Sequence, residues 1–257
     1  MMEGRAVGVL YGGASALFMA PMLMTIYMIP LLWPALCYFV VAAAYAFNKP
    51  AWISLSSKSD SAGDIPTVIR ILMSPFLGGA FIVWFAKRWK SPEIMPSRIV
   101  ERVYLGRLPW ELSEIPEDVV EIVDCTAEFP RFVTSNVKYQ CFPMLDTCAP
   151  PESERDRFVT VARHVASFAI DGEDAVYVHC ANGRGRSATL IAAALLAARL
   201  VDTVEEAQTV MRLQRPQVHL KACQKEFLNG ILDDLRQGTV GVQVPEECDA
   251  QPGEERE

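Results

Sequence analysis

The sequence lacks the residue patterns that mark several functional classes. Among its 257 residues there are three histidines, and none of the seven cysteines forms a CxxC pair, so no metal site is indicated. The cysteines are odd in number and scattered, which argues against a secreted disulfide framework and favours a reducing compartment. Lys and Arg (24) are outnumbered by Asp and Glu (31), and no basic stripe marks a nucleic-acid interface. We therefore expect no metal, no cofactor and no nucleic-acid partner.

Charged side chains are absent from residues 6–48, a run of 43 residues. A membrane-spanning helix needs roughly 20 apolar residues, so this run is long enough for two short spans. Pro21, Pro30 and Pro34 favour a break within it. The run predicts spans at about 7–28 and 31–47.

A third apolar segment covers residues 67–86 and contains one charge, Arg70, near its end. Three basic side chains follow within residues 87–90, and such residues stay on the cytoplasmic side of a span. This predicts an integral membrane protein, with two or three spans, whose residues 91–257 face the cytosol or another reducing compartment. The loop 49–66 is then expected on the opposite side of the membrane.

The charge balance divides the chain into two parts. Residues 1–90 hold seven basic and three acidic side chains, whereas residues 91–257 hold 17 and 28. We predict a transmembrane region at 1–90, a linker at 91–97, a soluble domain at 98–237 and an acidic, disordered tail at 238–257.

The soluble part alternates short apolar runs with longer helical patterns. The predicted strands are 103–105, 119–124, 139–142 and 175–178, and the predicted helices are 152–170, 187–200, 204–212 and 221–237. This alternation is typical of an α/β fold with a mostly parallel sheet flanked by helices. The apolar stretch at 187–200 has an uncharged core of about a dozen residues, which is typical of a buried helix rather than of a span.

One segment carries the pattern of a reactive site. The strand at 175–178 leads into Cys180, a loop with Gly183 and Gly185, and then Arg186 and Ser187 at the predicted start of a helix. Glycines allow successive backbone N–H groups to surround an anion, and a helix N-terminus adds its dipole. A cysteine in this position is expected to ionise readily, and an arginine can hold two phosphate oxygens. The pattern predicts attack of a thiolate on a phosphate ester.

The bare spacing Cys-x5-Arg occurs a second time, from Cys125 to Arg131. That copy has no glycine to form an anion-binding loop, and Glu128 inside it is expected to repel a phosphate. The glycines, the strand and the helix therefore single out the copy at Cys180.

The segment HCANGRGRS at 179–187 resembles the HCxxGxxR[ST] signature of the cysteine-dependent protein tyrosine phosphatase superfamily. The run 103–106 is similar to the entry strand of its dual-specificity branch, and the resemblance covers roughly residues 98–237. It implies a phosphoric monoester hydrolase with a dual-specificity phosphatase fold and no cofactor. The general acid of that family corresponds to Asp146, with Asp124 and Asp156 as rival acids.

The resemblance also implies a role for each residue of the signature. Cys180 is the nucleophile, Arg186 binds the phosphate, and Ser187 helps the sulfur to leave. His179 is expected to order the loop by hydrogen bonding. The phosphate-binding loop comprises Ala181, Asn182, Gly183, Arg184 and Gly185.

The substrate stays open between a phosphorylated lipid, slightly favoured, and a membrane-associated phosphoprotein. A membrane anchor raises the effective concentration of lipid substrates, and Arg184 offers a second cation. The run 104–109 is similar to the LGxLP run of mitochondrial phosphatidylglycerophosphate phosphatases. Ala181 stands where inositol-lipid phosphatases often have Lys, which argues against a specific phosphoinositide substrate. A non-catalytic phospho-binding module and a regulatory Cys125–Cys180 disulfide are the remaining hypotheses.

Overall fold

The computed structural model describes residues 8–9, 11–15, 31–54, 63–91, 96–133, 137–170 and 174–237. The predicted tail at 238–257 and most of the predicted linker lie outside these residues. Upstream of the sheet the described chain is helical. The helices there are α1 (Leu32–Phe47), α2 (Ala51–Ser54), α3 (Thr67–Leu72) and α4 (Ser74–Lys90).

The apolar segments of the N-terminal part form short helices. Within the described residues, none is both long and apolar enough to cross a membrane. The span predicted at 31–47 corresponds to α1, which has 16 residues. The segment predicted as one span at 67–86 is divided at Met73, because Pro75 has no backbone N–H with which to continue α3 into α4. Most of the span predicted at 7–28 lies outside the described residues.

The N-terminal helices pack directly against the rest of the chain. Cys37, Val41 and Ala44 of α1 share an apolar cluster with Ala127 and Leu145 of the following domain. Burial of these side chains on both partners stabilises the contact, since apolar area is removed from water on each side. The described part of α1 is therefore in direct contact with the following domain.

The loop 49–66, expected on the opposite side of the membrane from the domain, contacts the domain at both of its described ends. The Lys49 ammonium lies 3.2 Å from the Ser153 hydroxyl, and the Arg131 backbone N–H donates to the Gly63 carbonyl at 2.8 Å. Polar groups at both ends of this segment thus find partners on the domain surface.

The described domain contains a five-stranded sheet with the order β1-β2-β5-β3-β4. The strands are β1 (Ser97–Val100), β2 (Val103–Arg107), β3 (Val119–Thr126), β4 (Lys138–Met144) and β5 (Ala175–Cys180). The pairs of β5 with β2 and β3, and of β3 with β4, are parallel, whereas β1 pairs antiparallel with β2 at the edge. The mostly parallel sheet is confirmed, and β1 is an addition to the predicted strands.

Helices cover the sheet as expected for an α/β fold. They are α5 (Arg155–Ile170), α6 (Arg186–Ala197), α7 (Val204–Gln214), α8 (Ala222–Gly230) and α9 (Leu232–Arg236). Every residue of α6 is buried, which confirms that its apolar stretch forms a core helix. The helix predicted at 221–237 is divided at Ile231, where Gly230, a poor helix former, ends α8 and the Ile231 side chain turns into the core.

The sheet topology decides where a site can form. β3 and β5 are neighbouring parallel strands, so their carboxyl ends lie at the same edge. The loops that leave these two strands, after Thr126 and after Cys180, therefore meet there, and such an edge is where α/β proteins bind ligands.

Candidate active site

The loop after β5 returns sharply into the first turn of α6. Gly183 has φ +64°, and a Cβ atom at this position would lie 2.3 Å from the Gly106 carbonyl oxygen of β2. Both the positive φ and the close backbone approach require glycine. α6 then begins at Arg186, so its N-terminus points at the same space as the Cys180 thiol.

The five carbonyl groups of residues 181–185 all accept hydrogen bonds from groups around the loop. The pairs are Trp84 Nε1 to Ala181 (2.9 Å), Arg215 to Asn182 (3.0 Å) and to Gly183 (2.7 Å), His219 N to Arg184 (3.0 Å), and Thr189 N to Gly185 (2.8 Å). Because the carbonyls are held outward, the backbone N–H groups turn toward the loop centre. The loop is thus an anion-binding nest whose shape is set from outside.

Cys180 Sγ lies in this nest. The Gly183 backbone N–H donates to it at 3.2 Å, and the Ser187 hydroxyl donates at 3.3 Å. Burial raises the pKa of the Cys180 thiol, but the Arg186 guanidinium, the Ser187 hydroxyl and the N–H groups of Ser187 and Arg184 lower it. The net pKa is below the usual value for cysteine. The arrangement therefore favours a thiolate, the nucleophilic form of the side chain.

Arg186 is buried and held by a carboxylate. Glu128 accepts from both terminal nitrogens, at 2.7 and 2.8 Å, and the Met144 carbonyl accepts at 3.2 Å. The Nε atom is buried and has no hydrogen-bond partner among the described residues. Burial disfavours the charge, but Glu128 and Asp146 outweigh it and raise the pKa of Arg186. The guanidinium is thus a fixed cation beside the thiol, with one donor still available.

The structure brings Asp146, and neither rival acid, to the thiol. Asp146 follows β4, is 60% exposed, and lines the same cavity as Cys180, with its Oδ1 atom 3.4 Å from Arg186 Nε. Asp124 is fully buried and accepts from the Thr126 hydroxyl at 2.8 Å. Asp156 lies exposed on α5 and does not line the cavity.

His179 belongs to a buried network beneath the loop. Its Nε2 atom is 3.2 Å from the Tyr139 hydroxyl, which itself donates to Asp124 at 2.9 Å. The ring is fully buried, so it has no access to a bound substrate. This placement agrees with the expectation that His179 orders the loop.

The remaining cysteine hypothesis concerns Cys125. Cys125 and Cys180 are both buried in the main core cluster, and no disulfide joins them in the described part of the chain. A regulatory disulfide between them stays a prediction.

A cavity of about 450 Å³ opens above the thiol. One wall comes from α4, with Trp84, Lys87 and Lys90, and the opposite wall comes from residues 217–224. The size is typical of a small-molecule site. Basic side chains dominate its lining, although the chain as a whole is acidic.

Three residues that shape the site were not predicted from the sequence to belong to it. Glu128 was expected to repel phosphate and instead holds Arg186, while Trp84 and Arg215 hold the loop carbonyls. These partners are 58, 97 and 32 residues away along the chain from the groups they contact. The one usable signal concerned Glu128, because it follows a predicted strand of a mostly parallel sheet and such strands end at the same edge as the strand before Cys180.

Residues 113–230 match the family model described as dual specificity phosphatase, catalytic domain. The domain is a cysteine-dependent phosphatase. It is accordingly a phosphoric monoester hydrolase. The matched residues include the nest, Arg186, Asp146 and Glu128, whereas α4 lies outside the match.

Solved structures similar to this phosphatase include PTPMT1, at 25% identity with a TM-score of 0.44, covering 55% of this chain and 95% of that chain. Human DUSP28 matches at 18% identity with a TM-score of 0.47, covering 56% and 97% of the two chains. Tk-PTP in the active form matches at 25% identity with a TM-score of 0.45, covering 54% and 96%. Among curated proteins, none matches the chain.

Proposed function

We propose that the protein is a membrane-anchored phosphatase that hydrolyses phosphate monoesters through a cysteinyl-phosphate intermediate, with a lipid phosphate as the preferred substrate. The observation that carries the chemistry is the position of Cys180 Sγ. It lies among the backbone N–H groups of the loop and next to the fixed guanidinium of Arg186. The carbonyl groups of the loop all accept hydrogen bonds from groups around it. Such a site stabilises the charge on the transferring phosphoryl group without reorganising.

In the first step, Cys180 Sγ attacks phosphorus in line with the ester oxygen. The S–P bond forms while the P–O ester bond breaks, and Asp146 transfers its proton to the departing oxygen. The equatorial oxygens lie against the loop N–H groups and Arg186 Nε, a buried donor that makes no hydrogen bond within the described structure.

In the second step, water attacks phosphorus from the side that the leaving group vacated. Asp146 takes a proton from this water, and the S–P bond breaks to release inorganic phosphate. The Ser187 hydroxyl, 3.3 Å from the sulfur, stabilises the thiolate as it leaves. No step needs a metal ion or an organic cofactor.

The anchoring part of the proposal rests on exposed apolar side chains of the N-terminal helices. On α1, Trp33, Leu36 and Phe39 are exposed and separated by three residues, so they share one face. α4 repeats this with Ile82, Phe85 and Trp89. Exposed apolar surface of this extent is typical of a membrane or protein contact.

The lipid preference follows from where this surface lies. α4 carries the exposed apolar face and, on a different face, part of the cavity wall, so a membrane bound to this helix would keep lipid headgroups close to the cavity. A phosphoprotein at the membrane is the alternative substrate, and the open cavity also admits a phosphorylated side chain.

The test is phosphate release by the purified full-length protein in mixed micelles. The substrates are phosphatidylglycerophosphate, a phosphoinositide set and a phosphotyrosine peptide, with Cys180→Ser as the blank. Faster turnover of a lipid, abolished in the blank, is the expected result. Faster turnover of the peptide would move the function to the phosphoprotein alternative, and equal release by both proteins would contradict the proposal.

A further inference from the structure

The cavity above Cys180 contains more positive charge than a single phosphate needs. Seven of its lining side chains are cationic, and one, Asp146, is acidic; the cations are Lys87, Arg88, Lys90, Arg107, Arg184, Arg186 and Lys221. The whole chain has a net charge of −7, so this concentration of charge is local. Such a cavity attracts anionic ligands and increases their local concentration.

Three of these cations are already paired with carboxylates. Arg186 is bound to Glu128, and Arg88 and Arg107 share Glu114, with the Arg107 pair at 3.7 Å. Lys87 and Lys90, in contrast, are exposed, and no carboxylate of the described residues pairs with either of them. Both line the cavity, so their charge is available there without a carboxylate partner among the described residues.

Helix α4 holds the two lysines in a fixed position relative to the thiol. Trp84, Lys87 and Lys90 are spaced by three residues and so lie along one side of the helix. The Trp84 indole donates to the Ala181 carbonyl inside the loop, and its ring is buried against Phe129 at 5.7 Å between centroids. The lysines therefore extend from a helix that is tied to the phosphate-binding loop itself.

We propose that Lys87 and Lys90, together with Lys221 of the same cavity lining, form a subsite for a second anionic group of the substrate. The group that matches best is the phosphodiester of a phospholipid whose headgroup ends in the phosphate monoester. This inference rests on the proposed function, because the monoester must occupy the nest at Cys180.

The same helix favours a lipid over a doubly phosphorylated peptide. Ile82, Phe85 and Trp89 are exposed on a different face of α4 from the lysines, and Trp89 is 83% exposed. An anionic group attached directly to acyl chains would satisfy both the cationic and the apolar side chains of one helix. A phosphopeptide would leave the apolar face uncovered.

The experiment compares the double variant Lys87→Gln/Lys90→Gln with the wild-type full chain. Substrates are dioctanoyl phosphatidylglycerophosphate, a doubly phosphorylated peptide, and p-nitrophenyl phosphate, which has no second anionic group. We expect kcat/KM for the lipid to fall about tenfold more than that for p-nitrophenyl phosphate, as for the loss of two exposed charge pairs. The difference should shrink at high ionic strength, since exposed charges are screened.

The matched control is Lys138→Gln, an exposed lysine at the start of β4 and outside the cavity lining, which should leave both values unchanged. An equal loss on all substrates, or no loss, would overturn the subsite, while turnover that disappears in Cys180→Ser would still uphold the phosphatase. A selective loss on the peptide alone would overturn the assignment to a lipid.

A binding measurement tests the anionic subsite independently of the proposed phosphatase activity. Calorimetry with the Cys180→Ser protein reports affinity for the dioctanoyl lipid without turnover. About tenfold weaker binding after the lysine substitutions supports the subsite even where the wild type turns over nothing, and unchanged affinity refutes it.

Discussion

At the scale of single residues, the chemistry depends on a thiol that is buried and yet ionises readily. Burial raises the pKa of Cys180, and the hydrogen bonds and charge around it lower the pKa by more. A thiolate is a far better nucleophile than a thiol, so the site is prepared before substrate arrives.

The first prediction concerns this pKa. Because the folded protein favours the thiolate, its ultraviolet absorbance should persist below the pH at which a free cysteine protonates, and should disappear as pH falls through the lowered pKa. Ser187→Ala removes the hydroxyl donor and should shift the titration midpoint upward. Ser167→Ala, on the surface of α5, is the control. A midpoint at the value of free cysteine in the wild type would contradict the account.

The second prediction separates Asp146 from its rivals. Asp146→Asn should lower kcat by about 10²-fold or more for an alkyl phosphate, which needs a proton on its leaving oxygen. The loss should be much smaller for p-nitrophenyl phosphate, whose leaving group is already a good one. Asp156→Asn should change neither rate, and an equal loss on both substrates in Asp146→Asn would argue against the general-acid role.

The third prediction concerns Glu128. Glu128→Gln keeps the shape of the side chain and removes the charge that balances Arg186 in its buried position. We expect a loss of about 2–3 kcal/mol in the free energy of unfolding, because a buried cation is left without its carboxylate. Inorganic phosphate should restore more stability to this variant than to the wild type. Thermal unfolding with and without phosphate measures this, and equal effects of phosphate on both proteins would contradict it.

At the scale of secondary-structure elements, the phosphate-binding loop takes its shape from elements that surround it. Trp84 of α4 holds the first loop carbonyl, and Arg215, just after α7, holds the next two. α4 lies outside the matched phosphatase residues, yet it contacts the phosphate-binding loop through Trp84. This helix is therefore part of the catalytic structure as well as of the proposed anchor.

The fourth prediction tests this role of α4. Trp84→Phe keeps a ring in the aromatic cluster but removes the indole N–H that binds the Ala181 carbonyl. Loss of one buried hydrogen bond should cost about 1 kcal/mol of stability and lower kcat about tenfold for every substrate, because the loop loses one outward restraint. Trp89→Phe, at an exposed position, is the matched control for stability and turnover of p-nitrophenyl phosphate. An unchanged kcat in Trp84→Phe would limit Trp84 to a packing role.

The secondary-structure elements also show which parts of the site could be predicted from the sequence. The strand, the loop at 181–185 and α6 were predictable, because a local pattern of apolar residues, glycines and an arginine specifies them. The position of Glu128 was misinterpreted, since its charge suggested repulsion while its partner Arg186 lies on another strand–helix unit. Trp84 was read as part of a span, and only the packing of α4 on the domain reveals its contact. Long-range pairs of this kind leave no local pattern.

At the scale of the whole molecule, α4 carries both exposed apolar side chains and cations of the cavity lining, on a chain of net charge −7. The exposed faces of α1 and α4 supply the apolar part, and the cavity mouth supplies the cations. A bilayer with anionic lipids is complementary to both, because it has an apolar interior and a negatively charged surface.

The fifth prediction follows from this complementarity. The full-length protein should float with vesicles that contain anionic lipid. Ile82→Ser/Phe85→Ser should weaken this binding about tenfold or more, because two apolar side chains that the bilayer would bury are lost. Leu213→Ser, an exposed apolar position on α7, should leave binding unchanged. Equal flotation of the double variant would argue against α4 as a membrane contact.

The central claim is that the reaction passes through a phosphorylated Cys180. The most direct test is to quench the full-length enzyme during turnover and to map the phosphate by peptide mass spectrometry. The account predicts a phosphate adduct on the peptide that contains Cys180, more of it in Ser187→Ala, and none in Cys180→Ser. An adduct on another residue, or turnover that survives in Cys180→Ser, would contradict it.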